Sequence, residues 1–371
     1  MKEIIFCAVG DVGPNRKDPD SMFQHVHHVV KQADIAFCQL EPVLSRRGTP
    51  LPQARLPMRT DPVVALSLKK AGFHVISFAT NHCLDWGYEA FLDTLETLRK
   101  EGLHVIGAGK NITEARRPAF FQCKDTIIAF LAYNSILPEG YWALPDRPGC
   151  APLRAHTLYQ PIEHDQPGTP ANIYTYLHQE DREQMVRDIR QAKRDADVVI
   201  VSIHWGIHFI PEVLADYQRE AAYAAIDAGA DLILGHHPHI LKGIETYKGK
   251  VVFYSLANFA LESPFKFAEN LMNQHSHQVI ANLSPNWDPK RTALPPDSFK
   301  TIVVKCRIWK KKIQRVSFLP AYLRKECEPE ILSRSDPRFW EVVDYVRDIS
   351  HSQGLDLCLQ MDGDEVTVRH M

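Results

Sequence analysis

Five short apolar runs in this chain end the same way: a residue able to bind metal or move a proton follows the last apolar positions. Ile4–Val9 runs into Gly10-Asp11, Ala36–Leu40 into Glu41, and Val75–Ala79 into Asn81-His82, with Asp85 shortly after. Val198–Ile203 ends at His204-Trp205-Gly206, and Leu232–Leu234 at Gly235-His236-His237-Pro238-His239. Helical stretches lie between them, such as Phe91–Arg99, with Leu92, Leu95 and Leu98 at helical spacing, and Tyr217–Ala228, stopped by Gly229. Strands that alternate with helices imply crossover connections and a largely parallel sheet covered on both faces. Parallel strands bring their C-terminal ends to one edge, where open α/β sheets build ligand sites. The five polar ends are therefore expected to converge.

Composition narrows the class. The 371 residues suffice for one large α/β domain or two ordinary ones, and 45% apolar with 24% charged residues describes an ordinary globular protein. A formal net charge of −2 argues against nucleic-acid binding driven by bulk electrostatics. Ile4–Val9 is too short for a membrane span and lacks the flanks of a secretory signal. The eight cysteines are scattered, with no Cys-x-x-Cys pair, which suits reduced, structural thiols. A cytoplasmic protein without a membrane partner is expected.

The remaining segments frame the domain. Asp20–Gln32 and Val63–Ala71 read as helices, and Asp181–Ala196 as a long polar helix leading into the strand at Val198. Pro138–Pro170 reads as an irregular, proline-rich excursion, and Glu262–Phe299 as a polar insertion carrying His275, His277 and Trp287. Thr301–Ile308 reads as a strand, followed by a solvated turn at Lys310-Lys311-Lys312. The division expected is one domain over residues 1–330, with insertions near 138–170 and 262–299. A C-terminal appendage over 331–371 carries the helix Phe339–Ser350 and the strand Glu365–Arg369.

The chemistry of the five ends is that of a metal centre. Two carboxylates, one carboxamide and three or four imidazoles mix hard and borderline ligands, which favours Mn²⁺, Fe or Zn²⁺ over Mg²⁺ or Ca²⁺. One ion needs three or four protein ligands, so this many candidates suggests two. Three imidazoles compete at the last end. His-x-His spacing favours His237 and His239 and leaves His236 as a neighbour.

Six segments together resemble the CapA-type, poly-γ-glutamate-synthesis family, an outlying branch of the calcineurin-like metallophosphoesterases. They are Val9-Gly-Asp-Val-Gly-Pro-Asn-Arg16, Gln39-Leu-Glu41, Phe78-Ala-Thr-Asn-His-Cys-Leu-Asp-Trp-Gly87, Ser202-Ile-His-Trp-Gly206, Asp231-Leu-Ile-Leu-Gly-His-His-Pro-His239 and Phe253-Tyr-Ser-Leu-Ala-Asn-Phe259. The resemblance implies a four-layer α/β metallophosphoesterase-like sandwich. It also implies metal ligation by Asp11, Glu41, Asn81, His204, His237 and His239. His82 would be the general acid, oriented by Asp85, while Arg16, Asn258 and Ser255 would serve substrate binding. The implied reaction is hydrolysis of a small anionic substrate by metal-activated water, with phosphoester the default bond. Carboxylic ester or γ-glutamyl amide cleavage or transfer is the alternative, and a non-catalytic, metal-containing role in polyanion synthesis is another.

Three positions depart from the family pattern. The usual Asp-x-His opening is Asp11-Val12-Gly13, the glutamate after His-Trp-Gly is replaced by Ile207-His208, and the glycine of Tyr-Ser-Leu-Gly-Asn-Phe is Ala257. His208 therefore either adds a ligand or changes the polarity of the pocket.

Overall fold

Two β-sheets stack face to face in the computed structural model, which describes residues 2–262, 275–284, 287–288 and 294–369. At the heart of the ten-stranded sheet, Ile4–Gly13, Ile35–Leu40, Val75–Ser77 and His104–Ile106 run parallel in that order. The six-stranded sheet has the parallel core Lys250–Phe253, Leu232–His236, Val198–His204 and Thr126–Asn134. Strands buried on both faces need no polar alternation. Ile35–Leu40 and Val198–His204 accordingly have every residue buried.

The layers follow from which side chains share a core. Phe6 of the first sheet meets Phe130 of the second at 5.5 Å between ring centroids. The helices Val64–Ala71 and Gly87–Lys100 add Leu68, Phe91 and Leu95 to that same core. A separate core lies on the other face of the six-stranded sheet. There Leu131, Val201 and Ile233 pack under Met185 and Ile189 of the helix Gln179–Asp195 and Ala221 and Ala225 of the helix Asp216–Ala228. The result is the helix–sheet–sheet–helix sandwich implied by the resemblance.

The C-terminal segment joins this sandwich. Cys358–Asp362 and Glu365–Arg369 extend the ten-stranded sheet beyond Lys312–Leu323, and the helix Pro337–Ser352 buries Phe339, Val342 and Val346 in the main core. The turn at Lys310-Lys311 joins the antiparallel strands Lys300–Trp309 and Lys312–Leu323, with both residues at positive φ. Among the described residues no helix is long and apolar enough to cross a membrane.

Two expectations change in detail. In place of one helix over Asp20–Gln32, a 3-10 turn at Pro19–Phe23 precedes a short helix, His27–Gln32. The break lets Met22, Phe23 and Val26 all enter the core. The excursion after Pro138 is ordered as well. Gly149–Cys150 pairs with Ala108–Gly109, and Ala155–Pro161 forms an antiparallel ribbon with Ala171–Leu177. Because almost every ribbon residue is at least partly exposed, the ribbon carries no burial period for a sequence reading to detect. Within the expected insertion, residues 263–274, 285–286 and 289–293 lie outside the described residues, as does the His277 side chain.

Candidate metal centre

The strand ends meet where the two sheets face each other. His204 and His236 sit in register at the ends of adjacent parallel strands, and Asp11 sits opposite Gln39 and Asn258 in the other sheet. Close backbone approach makes this possible. A Cβ on Gly10 would fall 1.9 Å from the Ala257 carbonyl oxygen, and one on Gly235 would fall 2.2 Å from that of Tyr254. Both positions admit only glycine. Ala257 itself has φ 61°, His237 φ 96° and His239 φ 57°. Left-handed backbone costs non-glycine residues roughly 1–2 kcal/mol each, and such strain concentrates at functional sites. The family's glycine suits the Ala257 conformation without that cost.

The imidazoles and carboxylates interlock. Asp11 Oδ1 lies 3.2 Å from His236 Nδ1, and its Oδ2 lies 3.4 Å from His239 Nδ1. His239 Nδ1 is also 2.8 Å from Asn258 Oδ1. His204 Nε2 is 2.7 Å from Asn81 Oδ1 and 3.1 Å from His237 Nδ1. Glu41 accepts a 3.1 Å hydrogen bond from Thr80 Oγ1 and places Oε1 3.6 Å from His204 Nδ1. Asp11, Glu41, His204 and His236 are wholly buried, and Asn258 is as well.

Donor atoms at this density could hold a metal ion. Ligand atoms of Asp11, Glu41 and His204 all fall within 4.8 Å of one another. Glu41 Oε1, His204 Nδ1 and His236 Nε2 are buried with no hydrogen-bond partner among the described residues. An unsatisfied buried polar atom costs about 1–3 kcal/mol, which a divalent ion held by Glu41 and His204 would offset for those two. Burial and then the Asp11 charge push the Glu41 carboxyl up to about 7. Burial also opposes charge on Asp11, but hydrogen bonds from His236 and His239 hold its carboxyl well below the usual range. His204 and His237 are driven well down, chiefly by burial, which keeps them in the neutral form a metal requires. The donor set fits a divalent metal.

A second unit faces the open side. His82 Nδ1 is 2.6 Å from Asp85 Oδ2. Asp85 is buried and also accepts from the Met58 backbone N–H at 2.8 Å and from the Tyr141 hydroxyl at 3.0 Å. Burial disfavours the His82 imidazolium, yet the Asp85 charge and hydrogen bond raise its pKa above the usual histidine value. His82, Asn81 and His239 line one wall of a cleft of about 440 Å³, with Leu137, Phe209 and Leu294 on its apolar side.

The other candidates take different positions. Ser255 is buried and accepts from the Ala257 backbone N–H at 3.1 Å, which holds the turn before Asn258. Arg16 pairs with Glu262 at 3.3 Å and Glu328 at 2.9 Å, and also donates to Ser21 Oγ and the Glu326 carbonyl. An anion contact by Arg16 would require those pairs to open. His208 stacks on His237 at 3.9 Å between ring centroids and lines the cleft. From the insertion, Trp287 packs on Phe209 at 5.4 Å, beside Ala281 and Leu294.

Three contributors had escaped the sequence reading. Thr80 lies inside a recognised motif, and the polarity of its neighbours was the available signal. Tyr141 and Arg55 sit in loops without a motif, and only the fold brings them to the dyad and the cleft.

The PGA biosynthesis protein CapA of Bacillus subtilis and the capsule biosynthesis protein CapA of Bacillus anthracis are 31% and 28% identical to this chain over 249 and 251 residues. Each match covers 67% of this chain and 58% or 55% of the relative. A probable polyglutamine synthesis accessory protein of Mycobacterium tuberculosis is 30% identical over 226 residues, 60% of this chain and 50% of its own. The chain thus spans little more than half the length of these relatives. Residues 6–263 match the family described as bacterial capsule synthesis protein PGA_cap, and the chain belongs to that family.

Proposed function

We propose that this chain is a metal-dependent hydrolase that cleaves a phosphoester in a small anionic substrate. The observation that carries this reading is the 2.6 Å His82–Asp85 pair, which lines the cleft with Asn81 and His239, the two residues that in turn contact His204 and Asp11 of the buried metal-capable cluster. Asp11, Glu41, Asn81, His204, His237 and His239 would hold two ions of Mn, Fe or Zn, and the contact of His236 with Asp11 puts it at the edge of that set. When bound, such ions supply an activated water and neutralise the anionic charge that develops in the transition state. Asn258 fixes the His239 ring. Asp85 orients His82, whose proton passes to the departing oxygen. The eight unbridged cysteines support a reducing, cytoplasmic setting.

The relatives are named for roles in PGA, capsule or polyglutamine synthesis, and one as an accessory protein. Those names favour a second reading: a non-catalytic, metal-containing component of polyanion synthesis. Metal analysis of purified protein, followed by phosphodiester, phosphomonoester, carboxylic ester and γ-glutamyl amide panels with and without Mn²⁺, separates the two. Mn²⁺-dependent phosphoester turnover is the expected result. Turnover of esters or amides alone transfers the reading to those bonds, and full metal occupancy with no turnover favours the non-catalytic role.

Glu41 adds a pH signature. In the metal-free protein it keeps its proton up to about pH 7, so an ion bound at Glu41 below that pH must expel it. Metal affinity is expected to tighten by up to about tenfold per pH unit as the pH rises towards 7, then to level off. Titration calorimetry in buffers of different ionisation enthalpy reads the released proton. A flat affinity over that range places the metal elsewhere.

A further inference from the structure

We infer that Arg55 forms a recognition subsite for a second anionic group, carried by the substrate at the end remote from the bond cleaved. This deepens the reading of the same cleft as a hydrolytic site and rests on it. Arg55 lines the cleft with His82 and His239 and is exposed. No ion pair or hydrogen bond engages its guanidinium among the described residues.

Neighbouring arginines are committed. Arg46 pairs with Asp61 and Arg47 with Asp93, while Arg59 lies 3.6 Å over the Trp86 ring. Among the described residues, the one carboxylate lining the cleft is Asp85, already engaged by His82, the Met58 N–H and the Tyr141 hydroxyl. Among the described residues, then, the cleft holds an unpaired guanidinium and no free carboxylate, which suits it to receive an external anion.

The loop that carries Arg55 is fastened to the catalytic pair. Leu51 N–H donates to the Asp85 carbonyl at 2.9 Å, and Met58 N–H to the Asp85 carboxylate at 2.8 Å. Between these ties, Gln53 Nε2 reaches the Glu139 carbonyl at 2.9 Å and spans to the Leu137–Pro138 wall. The backbone on either side of Arg55 is therefore tied to the catalytic pair. Leu56, Ile136, Leu137 and Leu294 line the same cleft as the guanidinium and the histidines. Such a cleft suits a substrate with anionic groups at both ends of an apolar spacer, and its volume is that of a small-molecule site.

The test uses alkyl phosphonates that cannot be hydrolysed, with a graded series of methylene spacers ending in methyl, carboxylate or phosphate. Each is titrated calorimetrically into the Mn²⁺-loaded full chain. At the best spacer, the carboxylate- or phosphate-ended ligand is expected to bind at least about tenfold more tightly than the methyl-ended one. The comparison of the two charged ends identifies which group the subsite prefers. Arg55→Gln should bring that ratio close to one, Arg55→Lys should keep part of it, and raised salt should shrink it. Equal affinity for charged and methyl ends, no binding by either, or a preference that survives Arg55→Gln overturns the proposal. Because binding is read without turnover, an inactive substrate panel overturns the hydrolytic reading and leaves this result to be judged separately.

Discussion

Asp11→Ala is expected to strip the protein of metal and reduce hydrolysis to background. Asp11 is wholly buried and touches both His236 and His239, at 3.2 and 3.4 Å. Its charge also raises the pKa of His239 against the opposing effect of burial. Without it, the cleft keeps a crowd of imidazoles and a Glu41 carboxyl that burial favours in its neutral form. Substitution of groups that merely orient ligands costs 10- to 100-fold in metal affinity, so loss of a ligand should cost at least about 100-fold. Asp11→Asn preserves volume and one acceptor and separates loss of charge from loss of packing. His239→Ala should reproduce the metal loss. Elemental analysis after dialysis, with turnover measured on the same samples, reads the outcome. Full metal content and activity in Asp11→Ala and His239→Ala would show that the cluster is not the working site.

The parts of this site that the sequence announced are those on doubly buried parallel strands. Asp11, Glu41, His204 and His236 each end or follow an apolar run, and such runs are legible because neither face needs water. Thr126–Asn134 is just as buried and lies beside Val198–His204, yet it went unmarked. A continuous apolar run has no period to distinguish strand from helix, and this one ends without a chemical motif. The pairing of two sheets was equally silent, since local periodicity says nothing about which strands share a sheet. The same limit hid Tyr141 and Arg55, whose roles depend on loops brought together by the sandwich. Spacing alone set His236 apart from His237 and His239. Strand geometry adds that His236 is the last residue of its strand and faces Asp11.

His82→Ala is expected to lower kcat by about 10²–10⁴-fold while metal content stays intact, the loss typical of a missing general acid or base. His82 Nδ1 is occupied by Asp85, so the proton offered to a substrate is the one on Nε2. The size of the loss should depend on the leaving group. A p-nitrophenolate departs without help, so its release should suffer little, whereas an alkoxide needs the proton and should bear nearly the full effect. Asp85→Asn should act through the ring rather than on the substrate. Asp85 holds the imidazolium to higher pH, and activity that needs this proton falls as the pH rises through that raised value. Without the carboxylate charge, the fall should move to lower pH, with metal retained. A purely structural role for Asp85 would lower kcat at every pH without moving the profile. If His82→Ala loses metal and rate together, His82 is a ligand, and the proton for the departing oxygen must come from another group in the cleft.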